Sequence, residues 1–187
     1  MMRFRLLAAL VLLPLALSAA DRPLQVDRSR SYVDVDVGLT LGHFTAHLDA
    51  YDTAITADAK GKIKTAVFTF KFADLKTGNT DRDEKMIYWI GGTAPEGKFE
   101  LGILALAPDG QGQVTGRLTI HGVTGRIEFA VNIIQADGTY TITAEPVIDY
   151  RNWDLKVIKI AHMIKVDPVL KVRLKLVASL PATPVEP

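Results

Sequence analysis

The 187-residue chain contains no cysteine. This absence excludes disulfide bonds, thiol catalysis, cysteine-ligated zinc, covalent c-type haem attachment and acylation of an N-terminal cysteine. A chain of this length can nevertheless bury a substantial core as a single domain. We therefore expect the fold to depend on its apolar core, without covalent cross-links.

Serine is also scarce beyond residue 20. The three serines there are Ser29, Ser31 and Ser179, all near the ends of the chain, and none lies in a Gly-x-Ser-x-Gly elbow. That elbow is what exposes the nucleophile of many hydrolases. The sequence therefore argues against a serine nucleophile.

The chain has little net charge, with 22 Lys and Arg residues against 21 Asp and Glu residues. Arg3 and Arg5 belong to a predicted leader, and the remainder carries 20 basic residues against 21 acidic ones. Bulk charge of this size does not attract nucleic acid. We predict no nucleic-acid partner.

Residues 1–20 have the pattern of a secretory signal peptide. Arg3 and Arg5 precede the apolar run 6–17, and the small residues 18–20 come just before Asp21. The run is short for a membrane span, and no second candidate follows it. We predict cleavage after residue 20, export to a bacterial periplasm and no integral membrane span afterwards. An uncleaved anchor is the alternative.

The rest of the chain alternates between apolar and polar residues, as in Val33-Asp34-Val35-Asp36. Such period-two runs indicate half-buried strands, and Asp137-Gly138 is a strong hairpin signal. Eight or nine runs recur, and they predict an all-β domain over residues 21–180, followed by a disordered tail over residues 181–187. An antiparallel barrel of about eight strands and a sandwich both fit, and a closed barrel would also remove exposed edges.

A short helix interrupts this pattern within residues 75–90. We predict that Asp81 is its N-cap and that Glu84 completes a capping box. The residues from Met86 to Ile90 are too apolar for an ordinary surface helix. The helix is expected near the barrel mouth, either covering a ligand or simply closing that end.

The apolar face of the predicted strands is rich in phenylalanine. A small barrel either fills such an interior with side chains or holds one apolar ligand, and composition does not choose between them. Arg82 could form a structural ion pair or meet an anionic head group, and the tryptophans could pack in the core or line an entrance. The residues predicted to bind a ligand are Leu39, Phe44, Phe68, Phe70, Phe72, Arg82, Met86, Trp89, Phe99, Leu101, Leu118, Ile120, Phe129, Val131, Ile142 and Trp153.

No catalytic group, metal site or cofactor is predicted. His43 and His47 would lie about 13 Å apart on one strand, too far to share a metal ion. Asp34 and Asp36 fit the solvated face of a strand, while acidic residues at positions 81 and 83 suit a helix N-terminus.

Three blocks of the sequence resemble the YceI-like polyisoprenoid-binding proteins of bacterial periplasms. They are Thr77-Gly78-Asn79-x-x-Arg82-Asp83-x-x-Met86, then Val114-Thr115-Gly116-x-Leu118-Thr119-Ile120-x-Gly122-Val123-Thr124, and finally Arg151 with Trp153 before the last strands. The second block is the most specific, and the similarity extends over most of residues 27–180.

The resemblance implies a lipocalin-like antiparallel barrel whose apolar cavity binds a long-chain isoprenoid, an isoprenoid quinone or a fatty-acid-type lipid without catalysis. Two other functions remain open at this point. One is an enzyme that acts on such a lipid, using Arg82, Asp83 and a histidine at the mouth. The other is an interaction module with a filled interior that binds through a strand edge or loop. A homodimer is compatible with each.

Overall fold

The computed structural model describes residues 21–92, 95–160 and 164–181. The predicted signal peptide and most of the predicted tail, residues 182–187, lie outside them. Within the described residues, no helix combines the length and apolar character needed to cross a membrane.

The described residues form strands with one α-helix and three short 3₁₀ turns. The strands are β1 (Arg22–Val26), β2 (Tyr32–Gly38), β3 (His43–Leu48), β4 (Tyr51–Ala57), β5 (Ile63–Lys71), β6 (Leu75–Lys76), β7 (Glu96–Leu106), β8 (Gln111–Ile120), β9 (Val123–Ala136), β10 (Thr139–Ala144), β11 (Val147–Asp149), β12 (Lys159–Ile160), β13 (Ile164–Lys165) and β14 (Val169–Ser179). The helix is α1 (Thr80–Ile90), and the 3₁₀ turns are Arg28–Arg30, Phe72–Asp74 and Tyr150–Trp153.

Antiparallel pairing closes these strands into a barrel. The series β1–β4–β5–β7–β8–β9–β10–β14 runs through hydrogen-bonded neighbours, and β14 pairs again with β1. This confirms the predicted all-β, eight-stranded antiparallel barrel with one helix. Closure leaves this ring without a free edge. The alternating sequence alone could not distinguish such a closed barrel from a sandwich.

Three strands of the barrel are bent. β14 pairs with β1 near its C-terminal end and with β2 nearer its start, so β1 and β2 are two parts of one strand, separated by the 3₁₀ turn Arg28–Arg30. In the same way β3 and β4 are two parts of one strand, because β3 pairs with β2 and β4 pairs with β1. The third bent strand consists of β5, which pairs with β4, and β6, which pairs with β3. The added segments lengthen the wall at the end of the barrel where α1 connects β6 to β7, which we call the helix end.

The helix begins earlier than the sequence predicted. Its N-cap is Asn79, whose side chain accepts a hydrogen bond from the backbone N–H of Arg82 at 3.0 Å. The carboxylate of Asp83 accepts hydrogen bonds from the backbone N–H and the hydroxyl of Thr77, at 3.0 and 2.6 Å. The prediction of Asp81 as the N-cap was therefore wrong, because Asn79 already satisfies the first turn.

Two hairpin turns have the chemistry that their sequences indicate. Asp137 and Gly138 both have positive φ, 48° and 73°, as a two-residue type I′ turn requires. His121 and Gly122 repeat this geometry with φ of 50° and 78°, and strand β9 begins directly afterwards. Residues 155–158 have no regular structure and lead into the short β12.

Candidate functional site

The inward-facing side chains of the barrel surround an apolar cavity of about 250 Å³. Alternation along each strand places every second residue on this wall, and the 3.4 Å rise between residues makes the wall continuous. α1 contributes Trp89 and Ile90 from above, and the irregular segment after β11 contributes Tyr150 and Leu155. The cavity therefore lies between α1 and the opposite end of the barrel, which we call the barrel floor.

Most of the residues predicted to bind a ligand line this cavity. They are Phe68, Phe70, Phe72, Trp89, Phe99, Leu101, Leu118, Ile120, Phe129, Val131 and Ile142. They come from five barrel strands, β5, β7, β8, β9 and β10, together with Phe72 in a 3₁₀ turn and Trp89 on α1. Their contact with a ligand remains a prediction.

Five predicted residues do not line the cavity: Leu39, Phe44, Arg82, Met86 and Trp153. Leu39 forms an isolated bridge with Val166 after β2 ends. The guanidinium carbon of Arg82 lies 4.0 Å from the ring centroid of Phe44, so each covers the other in a cation–π contact. Met86 packs against the core cluster below the helix.

Trp153 is a core residue. Its indole N–H donates a hydrogen bond to the carbonyl oxygen of Leu118 at 2.8 Å, and only 2% of the residue is exposed. A Cβ atom at Gly125 would lie 3.0 Å from the indole ring, so the glycine makes room for it. Of the two roles considered for this tryptophan, core packing is the one that the structure supports.

Aromatic rings form a continuous strip along one side of the wall. Tyr51 stacks on Phe68 with ring centroids 4.9 Å apart, and Phe68, Phe70 and Phe72 follow at 6.1 and 5.1 Å. One ring of this strip rests on a glycine of the neighbouring strand: a Cβ atom at Gly97 would overlap the ring of Phe70. The glycine therefore lets this ring lie against the backbone of β7.

The polar atoms of the aromatic residues at the helix end point away from the cavity. Trp89 donates its indole N–H to the carbonyl oxygen of Lys156 at 2.8 Å, and the Tyr150 hydroxyl donates to the carbonyl oxygen of Val166 at 3.4 Å. The Trp89 and Tyr150 rings meet edge to face with centroids 5.1 Å apart. These contacts turn apolar ring faces towards the interior.

The lining carries no charged side chain among the described residues, and Thr53 is its one aliphatic hydroxyl. An ion or a strongly polar group inside would lose hydration without a compensating partner. The arrangement therefore favours a hydrocarbon occupant and offers no titratable pair for proton transfer.

The far end of the barrel, opposite α1, is filled by its own side chains. Tyr140 reaches across from β10, and its hydroxyl donates a hydrogen bond to the carbonyl oxygen of Gly61 at 2.9 Å. Leu24, Ala57 and Ile133 pack in the same buried cluster. Passage through the far end would break this packing, so the helix end is the better route to the cavity.

The acidic residues considered as acid–base candidates lie on the outer wall or at the helix start. Arg173 donates to both carboxylate oxygens of Asp36, at 2.7 and 3.0 Å, and this hydrogen bonding lowers the pKa of Asp36. His47 Nδ1 lies 2.7 Å from a carboxylate oxygen of Asp34. These contacts are cross-strand ion pairs and hydrogen bonds outside the cavity.

Among the lining residues that the sequence prediction did not name, Tyr150, Ile90 and Leu155 lie outside the strands. Tyr150 and Leu155 lie in a 3₁₀ turn and an irregular segment, where no alternation indicates the inward side. Ile90 is the last residue of α1 and is 1% exposed. Only the tertiary position of these segments over the barrel shows which side chains point inwards.

Comparison with known proteins agrees with this architecture. A YceI-like domain model matches residues 24–178. No curated protein sequence matches the chain significantly.

Similar solved structures share the fold at low sequence identity. BcnA of Burkholderia cenocepacia is 20% identical with a TM-score of 0.72, over 83% of this chain and 100% of that protein. A polyisoprenoid binding domain from Saccharophagus degradans, implicated in plant cell wall breakdown, is 15% identical with a TM-score of 0.67, over 86% and 99%. The YceI protein of Campylobacter jejuni is 17% identical with a TM-score of 0.63, over 76% and 88%. Because the domain model covers most of the barrel, the chain belongs to the YceI-like family.

Proposed function

We propose that this protein is a non-enzymatic carrier or sequestering protein that holds one long-chain isoprenoid or related lipid in its barrel, in the periplasm after export. The observation that carries this proposal is the uncharged cavity between the barrel floor and α1. An isoprenoid quinone and a fatty-acid-type lipid share the required apolar chain.

The size and apolar lining of the cavity support an apolar occupant. An engineered apolar cavity of about 150 Å³ stays dry and binds benzene. The cavity here is larger, at about 250 Å³, and its walls have the same kind of Leu, Ile and Phe lining. Water gains little in such a space, whereas a hydrocarbon chain gains contacts along its whole length.

Binding energy favours a long chain over a small molecule. Each buried CH₂ group contributes about 0.8 kcal/mol, so about ten such groups contribute about 8 kcal/mol. Association itself costs roughly 4–15 kcal/mol in lost translational and rotational freedom. A ligand without polar anchors therefore needs many carbons, which agrees with an isoprenoid or fatty chain.

Two further observations support the proposal. One of the similar structures is a polyisoprenoid binding domain, and it matches nearly its whole length to this chain. The basic, apolar and small-residue pattern of residues 1–20 fits export. The absence of charged side chains from the described lining supports binding over catalysis, and the open cavity supports binding over a filled interaction module.

The decisive experiment is extraction of lipid from protein purified from its host, with identification by mass spectrometry. Ala66 lines the cavity on β5, so Ala66→Phe should fill the space and abolish the lipid load. Ala130 faces outwards from β9, and Ala130→Phe is the matched control that should retain the load. A folded wild-type protein without stoichiometric lipid, or an equal load in both variants, would overturn the proposal.

A further inference from the structure

The most exposed large apolar side chains of the described residues lie at the helix end. Tyr88 on α1 is 85% exposed, and Leu41 in the turn between β2 and β3 is 80% exposed. Tyr88 directly precedes Trp89, which lines the cavity. Exposed apolar side chains that together form a patch mark a site of contact with a protein or a membrane.

Backbone contacts place Leu41 next to the short hairpin of β12 and β13. The N–H of Thr40 donates a hydrogen bond to the carbonyl oxygen of Lys165 at 3.0 Å, and Leu39 bridges to Val166. The same segment reaches α1 through the hydrogen bond from Trp89 to Lys156. The turn, the hairpin base and the helix therefore surround one entrance.

The hairpin base is basic. Residues 155–166 contain three lysines, Lys156, Lys159 and Lys165, and no acidic residue, and Asp154 and Asp167 flank this segment, so positive charge is in excess. All three lysines are exposed, and none has an ion-pair partner among the residues that the structure describes.

Two of these lysines face each other directly. Lys159 pairs with Lys165 in the antiparallel ladder of β12 and β13. Like charges directly opposite each other on a sheet destabilise it. An anionic surface outside the protein would relieve this repulsion, so the pair indicates a partner of negative charge.

We propose that the helix end docks on a bilayer surface that contains anionic lipid. Leu41 and Tyr88 enter the interface, and Lys156, Lys159 and Lys165 face the head groups. Tyrosine suits this depth because its ring is apolar and its hydroxyl stays hydrated. The far end is less suitable, because none of its described apolar side chains is as exposed as Leu41 or Tyr88.

The exposed face of α1 sets the orientation. Asp81 and Glu84 lie in the first half of the helix, and Tyr88 lies near its end. Repulsion of the two carboxylates from the head groups tilts the barrel, so that the hairpin side approaches the bilayer most closely. Docking in this orientation brings the entrance to the membrane. The apolar chain of the proposed lipid ligand would then move between the membrane and the cavity with little exposure to water.

Sedimentation with vesicles tests the docking. The wild type should bind phosphatidylcholine vesicles that contain phosphatidylglycerol, and should bind pure phosphatidylcholine vesicles weakly. Each lysine near an anionic surface contributes about a factor of five, so K156Q/K159Q/K165Q should bind about a hundredfold more weakly. Raised salt should weaken wild-type binding in the same direction.

Two matched sets keep this test specific. K60Q/K62Q/K64Q removes three exposed lysines at the far end and should bind like the wild type. Leu41→Ser with Tyr88→Ser should lose binding, whereas Ile103→Ser with Ile134→Ser, two exposed positions on the barrel wall, should keep it. Equal effects of both lysine sets, or a wild type that ignores anionic vesicles, would overturn the docking proposal.

The biological purpose of the docking rests on the proposed function, whereas vesicle binding is measured independently of any bound lipid. Protein that carries lipid but does not bind vesicles would overturn the docking alone, and protein that binds vesicles without ever carrying lipid would overturn the proposed function alone. Gel filtration without vesicles adds one outcome: a dimer that Leu41→Ser and Tyr88→Ser dissociate would show that the patch is a self-contact, and would overturn membrane docking.

Discussion

The indole N–H of Trp89 donates a hydrogen bond to the backbone carbonyl oxygen of Lys156, 2.8 Å away. This contact ties the last turn of α1 to the irregular segment that leads into β12, and both segments border the cavity. Trp89 is therefore both a wall residue and a link between two parts of the entrance.

Loss of this link should speed ligand exchange. Trp89→Phe keeps a six-membered aromatic ring beside Tyr150 and removes the N–H donor, whose hydrogen bond is worth about 0.5–1.5 kcal/mol. We expect dissociation of a bound fluorescent fatty acid to become roughly two- to tenfold faster. Stopped-flow displacement by excess unlabelled fatty acid measures this rate.

Trp153 provides the control for Trp89. Its indole N–H makes a hydrogen bond of the same length, to the carbonyl oxygen of Leu118, but it lies in the core and away from the cavity. Trp153→Phe should lower the free energy of unfolding by about 1–3 kcal/mol, since a buried carbonyl loses its partner, and should leave the exchange rate unchanged. Equal exchange rates in the wild type and Trp89→Phe would contradict the role of the link.

Gly116 keeps the cavity open by making room for a ring. A Cβ atom there would overlap the Phe99 ring and lie 2.7 Å from the carbonyl oxygen of Glu100. Gly116→Ala should therefore push Phe99 into the cavity, reduce the bound lipid and destabilise the fold by about 1–3 kcal/mol. Lipid extraction and chemical denaturation measure the two effects.

A second substitution tests the cause. Phe99→Leu in the Gly116→Ala background shortens the displaced side chain and should restore part of the stability and of the lipid load. Non-additivity is expected because the two residues are in contact. Simple addition of the two losses would show that Gly116 acts through its backbone and not through Phe99.

Much of this wall could be predicted from the alternation of residues. Phe68, Phe70 and Phe99 lie at the alternate positions of their strands that face inwards. A one-residue error in assigning the inward face would have placed all three side chains outside. Alternation does not apply to Arg82 on the helix or Trp153 in a turn, and the sequence left two roles open for each. Arg82 covers Phe44 and Trp153 donates into the core, and both arrangements depend on how a helix or turn packs on the barrel.

The hydrogen-bonded ion pair of Asp36 with Arg173 on the outer wall should make the free energy of unfolding depend on pH. Hydrogen bonds from Arg173, then from Thr45, lower the pKa of Asp36. A carboxyl whose pKa is lower in the folded state stabilises the fold above its unfolded pKa, near 4, and loses that contribution as pH falls through the folded value. Asp36→Asn should therefore reduce the free energy of unfolding at neutral pH and should differ little from wild type in strong acid.

Denaturant titrations at neutral and acidic pH measure this difference. Asp52→Asn is the control, because the Asp52 side chain is 90% exposed and its pair with Arg28 is solvated. Surface pairs of that kind contribute little. A deficit of Asp36→Asn that persists unchanged in acid would show that the loss comes from the amide itself and not from the lost charge.

Tyr140 should close the far end without controlling the ligand. Its hydroxyl donates to the carbonyl oxygen of Gly61 and accepts from the Gln135 side chain at 3.2 Å, and the residue is buried in the far-end cluster. Tyr140→Phe keeps the ring and leaves a buried carbonyl without its donor, so we expect a loss of about 1–3 kcal/mol in the free energy of unfolding. If the ligand passes through the helix end, the same variant should release fluorescent fatty acid at the wild-type rate. Faster release from Tyr140→Phe than from Trp89→Phe would place the exit at the far end, because only a route through that packing becomes easier when its hydrogen bond is lost.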